Sequence, residues 1–296
     1  MTSTHLPQFE AASPENPSER LPRHRIGVLG ASGTTGAELV RLLMDHPAAQ
    51  VAFATSRTHA GRALDEIEPW APPVRLIHPD EADPDATDAV LLCLPHGSSG
   101  PAAAELLERG CRVIDVSGDH RLRDADAHAR VYASDRDEAA AGQAVYGLTE
   151  LVRNDLAEAR LVANPGCYAT AALLALAPLA RAGLLRAPAV IDAKSGVSGA
   201  GRTPTDTTHF CSASGDVRPY RPGRAHRHVA EIEQMLDARV VFTPHLVPLE
   251  RGIEATIVLG EVPGGEPAVR EALHAAYDGE AFVRLLPPGR LSRIRS

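Results

Sequence analysis

Cys167 stands at the join between a Pro-Gly turn and an apolar run, in the stretch Asn164-Pro165-Gly166-Cys167-Tyr168-Ala169-Thr170. The run reads as a helix that begins at the cysteine. Unpaired N–H groups and a partial positive charge gather at a helix N-terminus, so a thiol there ionises more readily, and the thiolate is the reactive form. Cys167 is therefore a candidate nucleophile, although a buried structural cysteine after a turn would look the same in isolation. A second cluster, His226-Arg227-His228, opens a helical pattern that continues through Ile232 and Leu236. Imidazoles are the usual general acids and bases near neutral pH, but histidines at a helix start also serve as caps or surface residues. A His-x-His pair could hold a metal. No cysteine or carboxylate at ligand spacing accompanies this one, and no metal is expected.

A third stretch speaks for a cofactor. The apolar Ile26-Gly27-Val28-Leu29 runs through Gly30-Ala31-Ser32-Gly33-Thr34-Thr35-Gly36 into Ala37-Glu38-Leu39-Val40. That is a strand, a glycine-rich turn and a helix. Gly30, Gly33 and Gly36 would permit a tight turn, close approach of a pyrophosphate and close helix packing, with Ser32, Thr34 and Thr35 in the same anion-facing turn. The spacing is GxxGxxG rather than GxGxxG, so the motif rests on its strand-turn-helix context. The next strand, Val51-Ala52-Phe53-Ala54, ends in Thr55-Ser56-Arg57, about where a fold that prefers NAD carries an acid for the ribose. Ser56 and Arg57 suit a 2′-phosphate instead, so NADP(H) is expected.

The elements that must position these residues follow from the apolar pattern. Residues 89–94 and 112–116 read as buried strands separated by a helical stretch over 101–109, the alternation of a parallel sheet covered on both faces. Ligands gather at the C-terminal ends of such strands, where His96-Gly97-Ser98-Ser99 and Asp115-Val116-Ser117-Gly118-Asp119-His120-Arg121 fall. Cys93 and Cys111 lie in or beside strands and read as core. The helix that starts at Cys167 is expected to kink or end at Pro178. A strand over 189–193 leads into the donor-rich loop Lys194-Ser195-Gly196-Val197-Ser198-Gly199-Ala200-Gly201-Arg202, and residues 203–224 form a long irregular segment of the functional kind. Strands over 240–242 and 253–259 suggest a sheet wetted on one face.

The fold class is therefore α/β plus α+β. A Rossmann-like NADP-binding domain is expected over 23–165, and a mixed α+β catalytic domain with a largely antiparallel sheet over 166–296. Residues 1–22 are rich in Ser, Pro and Glu without an apolar core, and read as a flexible tail rather than a signal peptide. A net charge of -8 with no basic block argues against nucleic acid, and no apolar run approaches a membrane span. The four cysteines match neither a disulfide framework nor a paired CxxC site, which suits a reducing cytoplasm.

These motifs together carry a family resemblance. From about Arg25 to about Leu286 the chain resembles the N-acetyl-gamma-glutamyl-phosphate reductases, relatives of aspartate-semialdehyde dehydrogenase. The specific marks are the Gly30–Gly36 loop, Asn164-Pro165-Gly166-Cys167-Tyr168, the Ser195–Arg202 loop, His226-Arg227-His228-Val229-Ala230-Glu231-Ile232 and Thr243-Pro244-His245-Leu246-Val247-Pro248. The resemblance implies that Cys167 is the nucleophile and that the histidine pair contains the acid/base, placed on His226. It implies a thioester intermediate, hydride delivery by NADPH, and cofactor contacts from Ser198 and Gly199. Arg121 is implied as a phosphate ligand, and Glu150, Arg202, His228, Tyr220 and Arg251 as further substrate contacts. Tyr146-Gly147-Leu148-Thr149-Glu150 has Thr where the family has Pro, which loosens that loop. A homo-oligomer, dimer or tetramer, is implied as well.

The implied reaction turns N-acetyl-L-glutamyl 5-phosphate into N-acetyl-L-glutamate 5-semialdehyde, a step of arginine biosynthesis. The same chemistry on carrier-linked aminoadipyl phosphate is the nearest rival, and the net charge gives no hint of a docking face for an acidic carrier. The family sequence continues past the point of Ser296 through an Asp-Asn-Leu-x-Lys-Gly-Ala type segment, which Pro288-Gly289-Arg290-Leu291-Ser292-Arg293-Ile294-Arg295-Ser296 does not match. A non-catalytic dinucleotide-binding remnant is thus a further alternative. A cysteine hydrolase ranks last, since it leaves the glycine loop without a purpose.

Overall fold

The computed structural model describes residues 23–134 and 136–294. The expected flexible tail, residues 1–22, lies outside the described residues. Six strands form one sheet: β1 (His24–Leu29), β2 (Ala49–Ala54), β3 (Ala89–Leu92), β4 (Val113–Asp115), β5 (Ala144–Tyr146) and β6 (Leu161–Ala163), in the order β2-β1-β3-β4-β6-β5. Every pairing is parallel. Alternation along β3 explains why it is apolar throughout. Val90 and Leu92 pack with Leu106 and Leu107 of α2 (Ser99–Glu108), whereas Leu91 packs with Val40 of α1 (Thr34–Met44) on the other face. The strand order reverses at β1, which opens a crevice at its C-terminal end, where the glycine loop lies. Helices α3 (Ala125–Tyr132), α4 (Glu138–Gln143) and α5 (Thr149–Glu158) complete this half.

The chain leaves β6 and enters α6 (Cys167–Arg181) after three residues. A second sheet follows, built from β7 (Ala189–Ser195), β8 (Arg218–Pro219), β9 (Val240–Leu246) and β10 (Ile253–Val258) in the order β10-β7-β9-β8. Antiparallel pairing holds for the two outer pairs, β10 with β7 and β8 with β9. The central pair, β7 with β9, runs parallel over seven residues. Its connection crosses over through α7 (Phe210–Ala213) and α8 (His228–Leu236) and returns the chain to the end where it began. The sheet is therefore mixed. One face is packed by α6 and α8, which bring Leu173, Leu176 and Ile232 against Ile191 and Phe242. On the other face Val258, Val190 and Val241 stand side by side across three strands, 58%, 45% and 49% exposed.

Pro178 lies inside α6 without ending it. A proline cannot donate to the carbonyl four residues back, here Leu174 O. The hydroxyl of Tyr277, the last residue of α9 (Gly265–Tyr277), supplies the missing donor at 2.6 Å. Tertiary packing thus satisfies the carbonyl that proline orphans. Tyr277→Phe should leave that buried acceptor unpaired and cost about 1–3 kcal/mol, read as a lower midpoint in urea unfolding; an unchanged midpoint would show that the helix needs no such brace.

Candidate active site

Cys167 is the first residue of α6, with Gly166 as N-cap and no side-chain cap. A Cβ on Gly166 would lie 2.4 Å from His228 Nε2 and 2.8 Å from Arg121 Nη1, so only glycine lets the turn pass so close to these two groups. Beneath the turn sits the carboxylate of Glu231, with no exposed surface. It accepts from Gly166 N–H at 3.0 Å, Tyr146 OH at 2.9 Å, Tyr132 OH at 3.0 Å and Arg121 Nη1 at 3.2 Å. Burial alone would raise its pKa. The charge of Arg121, with His228 and the hydrogen bonds from Gly166 and Tyr146, outweighs burial and holds the group below the usual carboxylate range.

Arg121 is 6% exposed, and its other nitrogens are also committed. Nε donates to Asn164 O at 2.8 Å and Nη2 to Val116 O at 2.7 Å. The guanidinium, expected as a phosphate ligand, braces the Gly166 turn from below, and its charge reaches the thiol. Crowding on the inner side of Cys167 pushes the thiol above its ordinary value, while the amides of Tyr168 and Cys167 and the Arg121 charge pull it down without prevailing. The residue nonetheless has an open side, where water screens part of the upward push. The amides of the helix start act on the thiol in the direction the sequence suggests, against the opposing effect of burial.

His226 is 7% exposed and boxed by aromatic rings, with centroids of Tyr168 and Phe242 at 5.3 Å and Tyr220 at 5.7 Å. Its Nδ1 accepts the His228 backbone N–H at 3.1 Å, which leaves the ring proton on Nε2. Burial, reinforced by the charges of Arg227 and Arg221, pulls its pKa down to about 4, and burial pulls His228 down to about 3. Both imidazoles are neutral at pH 7. The Tyr220 hydroxyl donates to that of Tyr168 at 3.0 Å. Burial raises both phenols, and the nearby Cys167 adds to the rise. Both tyrosines thus feel Cys167 and pack against the His226 ring. His226 borders an open cleft, whereas His228 lies against the Gly166 turn with its Nε2 3.7 Å from Glu231.

The glycine loop lies between β1 and α1. Gly30 adopts φ 80°, and a Cβ on Gly36 would lie 2.4 Å from Gly30 O, so both glycines are needed by the fold itself. A Cβ on Gly33 would meet nothing closer than 3.5 Å. Space is therefore free at Gly33, where α1 begins without a side-chain cap and its first amides await an acceptor. That is the cradle a pyrophosphate requires, with Thr34 and Thr35 in the first turn. Ser56 is buried, its hydroxyl 2.7 Å from that of Ser32 and accepting from His59 N–H at 3.1 Å. It braces the loop, and Arg57 beside it is exposed.

Three of the expected substrate contacts meet other groups of the chain. Arg202 donates to Ser32 O at 2.8 Å and pairs with Glu68, which draws the loop of Ser198 and Gly199 over the glycine turn rather than toward the thiol. Arg251 pairs with Glu38 of α1 at 3.4 Å and is 58% exposed. Glu150 acts on Tyr277, near the middle of α6 and away from its catalytic end. Long-range ion pairs with the first half claim both arginines. The functional groups that sequence reasoning passes over are Glu231, Tyr132 and Tyr146. A signal for Glu231 exists: it follows His228 by three residues on the inward face of α8, an acid where the helical period places apolar residues.

The fold and this site define a semialdehyde dehydrogenase. Residues 25–159 match the family model of the semialdehyde dehydrogenase NAD-binding domain, and residues 167–296 that of the semialdehyde dehydrogenase dimerisation domain. Aspartate semialdehyde dehydrogenase II from Vibrio cholerae superposes with a TM-score of 0.65 at 18% identity, covering 86% of this chain and 80% of that one. The enzyme of Candida albicans, solved with NADP, gives 0.58 at 15% identity over 80% and 71%.

Among curated sequences, the N-acetyl-gamma-glutamyl-phosphate reductase of Desulforapulum autotrophicum is 41% identical over 92% of this chain and 82% of its own length. That of Methanopyrus kandleri is 41% identical over 91% and 81%. The chain belongs to the N-acetyl-gamma-glutamyl-phosphate reductase family. Removing the charge of Glu231 would strand Arg121, so Glu231→Gln should destabilise the fold by about 3–5 kcal/mol in urea titration; a cost below about 1 kcal/mol would disprove the clamp.

Proposed function

We propose that this chain reduces N-acetyl-L-glutamyl 5-phosphate to the 5-semialdehyde through a thioester on Cys167, with NADPH as reductant. The observation that carries the reading is Cys167 at the first residue of α6, next to Tyr168, whose ring packs with that of Tyr220 on His226. In the first step Sγ bonds to the acyl carbon and the carbon–oxygen bond to phosphate breaks. The thiol proton leaves with the phosphate. This splits one hard displacement into two easier ones.

When bound, NADPH supplies a hydride. The oxyanion formed on the thioester carbon is met by the amides at the start of α6 and by the Nε2–H of His226. Its collapse releases the aldehyde and the Cys167 thiolate, which regains a proton relayed through His226 from the open cleft. His228, packed under the turn, acts as a positioning residue.

Arg57 is the group we assign to the 2′-phosphate, with the glycine loop holding the pyrophosphate, and the boundary between cofactor and catalytic domains falls between β6 and α6, at 165/166. Four cysteines without disulfide partners suit the cytoplasm. Among the described residues no helix is long and apolar enough to cross a membrane. The uncovered face of the second sheet, with Val190, Val241 and Val258 in one row, is the surface we assign to a second copy of the chain, in keeping with the dimerisation-domain match.

Phosphate-dependent reduction of NADP by N-acetylglutamate semialdehyde, the reverse reaction, tests the chemistry: wild type should turn over and Cys167→Ser should lose at least about 1000-fold in kcat. Activity surviving in the variant, or equal turnover of carrier-linked aminoadipyl phosphate, would overturn the mechanism or the substrate respectively. Arg57→Ser should cut the kcat/KM preference for NADPH over NADH by about tenfold or more, and an unchanged ratio would place the 2′-phosphate elsewhere. In light scattering, Val190→Asp with Val241→Asp should convert an oligomer to a smaller species; an unaltered mass would remove the sheet face as the interface.

A further inference from the structure

Arg130 of α3 and Arg221, Arg224 and Arg227 of the loop before α8 line one cleft of about 440 Å³, and His226 forms part of its wall. Among the described residues, only Arg224 of these guanidinium groups holds a carboxylate, bidentate to Glu233 at 2.8 and 2.6 Å. Arg227 lies 5.8 Å over the Tyr132 ring, and Arg130 and Arg221 are exposed. The cleft is thus strongly positive on a chain whose net charge is -8. Its volume is that of a small-molecule site.

The backbone at Arg221 adds an independent sign. Three described non-glycine residues have positive φ: Ala133, Arg221 and Asp237. Ala133 and Asp237 are the C-caps of α3 and α8, where the left-handed conformation is ordinary. Arg221, at φ 44°, ends no helix. Hydrogen bonds pin it from both sides, Tyr220 N–H to Pro244 O at 3.0 Å and Gly223 N–H to Phe242 O at 2.7 Å. Strain that the surroundings impose on one residue is characteristic of a functional position. Tyr220, its neighbour, contacts the catalytic pocket through Tyr168 and packs on His226.

We infer that this cleft binds the carboxylate end of the acyl-phosphate substrate, the α-carboxylate remote from the reacting carbon, with Arg221 and Arg130 as its ligands. The inference rests on the substrate reading above for the identity of the ligand. Guanidinium forks match a carboxylate with paired donors. His226 lines this cleft and packs on Tyr168, the residue after Cys167, so the cleft selects acyl phosphates that carry a second anionic group.

Calorimetric titration of the full chain with N-acetyl-L-glutamate, which cannot react, reads the cleft without turnover. Wild type should bind it at least tenfold more tightly than 4-acetamidobutanoate, which lacks the α-carboxylate. Arg221→Gly should weaken N-acetyl-L-glutamate at least tenfold and leave 4-acetamidobutanoate unmoved, while Tm holds or rises because glycine is at ease at positive φ. Arg130→Ala should weaken the first ligand at least threefold. Equal affinities of wild type for the two probes, or undiminished binding by Arg221→Gly, would overturn the assignment even if the enzyme turns over its substrate. Arg221-dependent binding by a wild type that fails the turnover assay would uphold the cleft and sink the reaction.

Discussion

The buried pairing of Glu231 with Arg121 is the constraint on which the rest of the site depends. A carboxylate and a guanidinium removed from water cost several kcal/mol each unless their hydrogen-bonding capacity is filled. Here it is filled by the groups that must be positioned. Glu231 takes the amide of Gly166 and the hydroxyls of Tyr132 and Tyr146, and Arg121 takes the carbonyls of Asn164 and Val116. Partners from the parallel sheet and from the catalytic turn thereby converge on one carboxylate of α8. The thiol stands on a turn that neither half could fix alone.

Burial works against charge on the groups above this pair: it lifts the thiol and lowers both imidazoles. Burial keeps His226 neutral, and the same Arg227 and Arg221 that make the neighbouring cleft positive add to that effect. An incoming anion would offset those charges, so ligand binding and the proton affinity of His226 are coupled through the same groups.

Glycine serves two purposes in the cofactor loop. Gly30 and Gly36 are fixed by contacts within the protein, since a side chain at either would meet backbone at about van der Waals overlap. Gly33 is unconstrained by the protein itself. It leaves space at the start of α1, and Arg202 brings the loop of the second half over the same spot.

Local geometry was legible in the sequence because it depends on neighbours along the chain. The strand-turn-helix of residues 26–43, the helix that begins at Cys167 and the alternating strands all follow from periodicity and turn chemistry within a few residues. The family motifs singled out Cys167 and the histidine pair as candidates. Long-range pairing was not legible. Arg121 and Glu231 are 110 residues apart, and no local pattern tells a bracing arginine from a phosphate ligand. Arg202 and Arg251 likewise found carboxylates in the opposite half, Pro178 found Tyr277, and the crossover through α8 set β7 and β9 parallel. A charge's partner and a carbonyl's donor are decided by which surfaces meet, and the sequence alone determined the surfaces while only the tertiary structure decided their meeting.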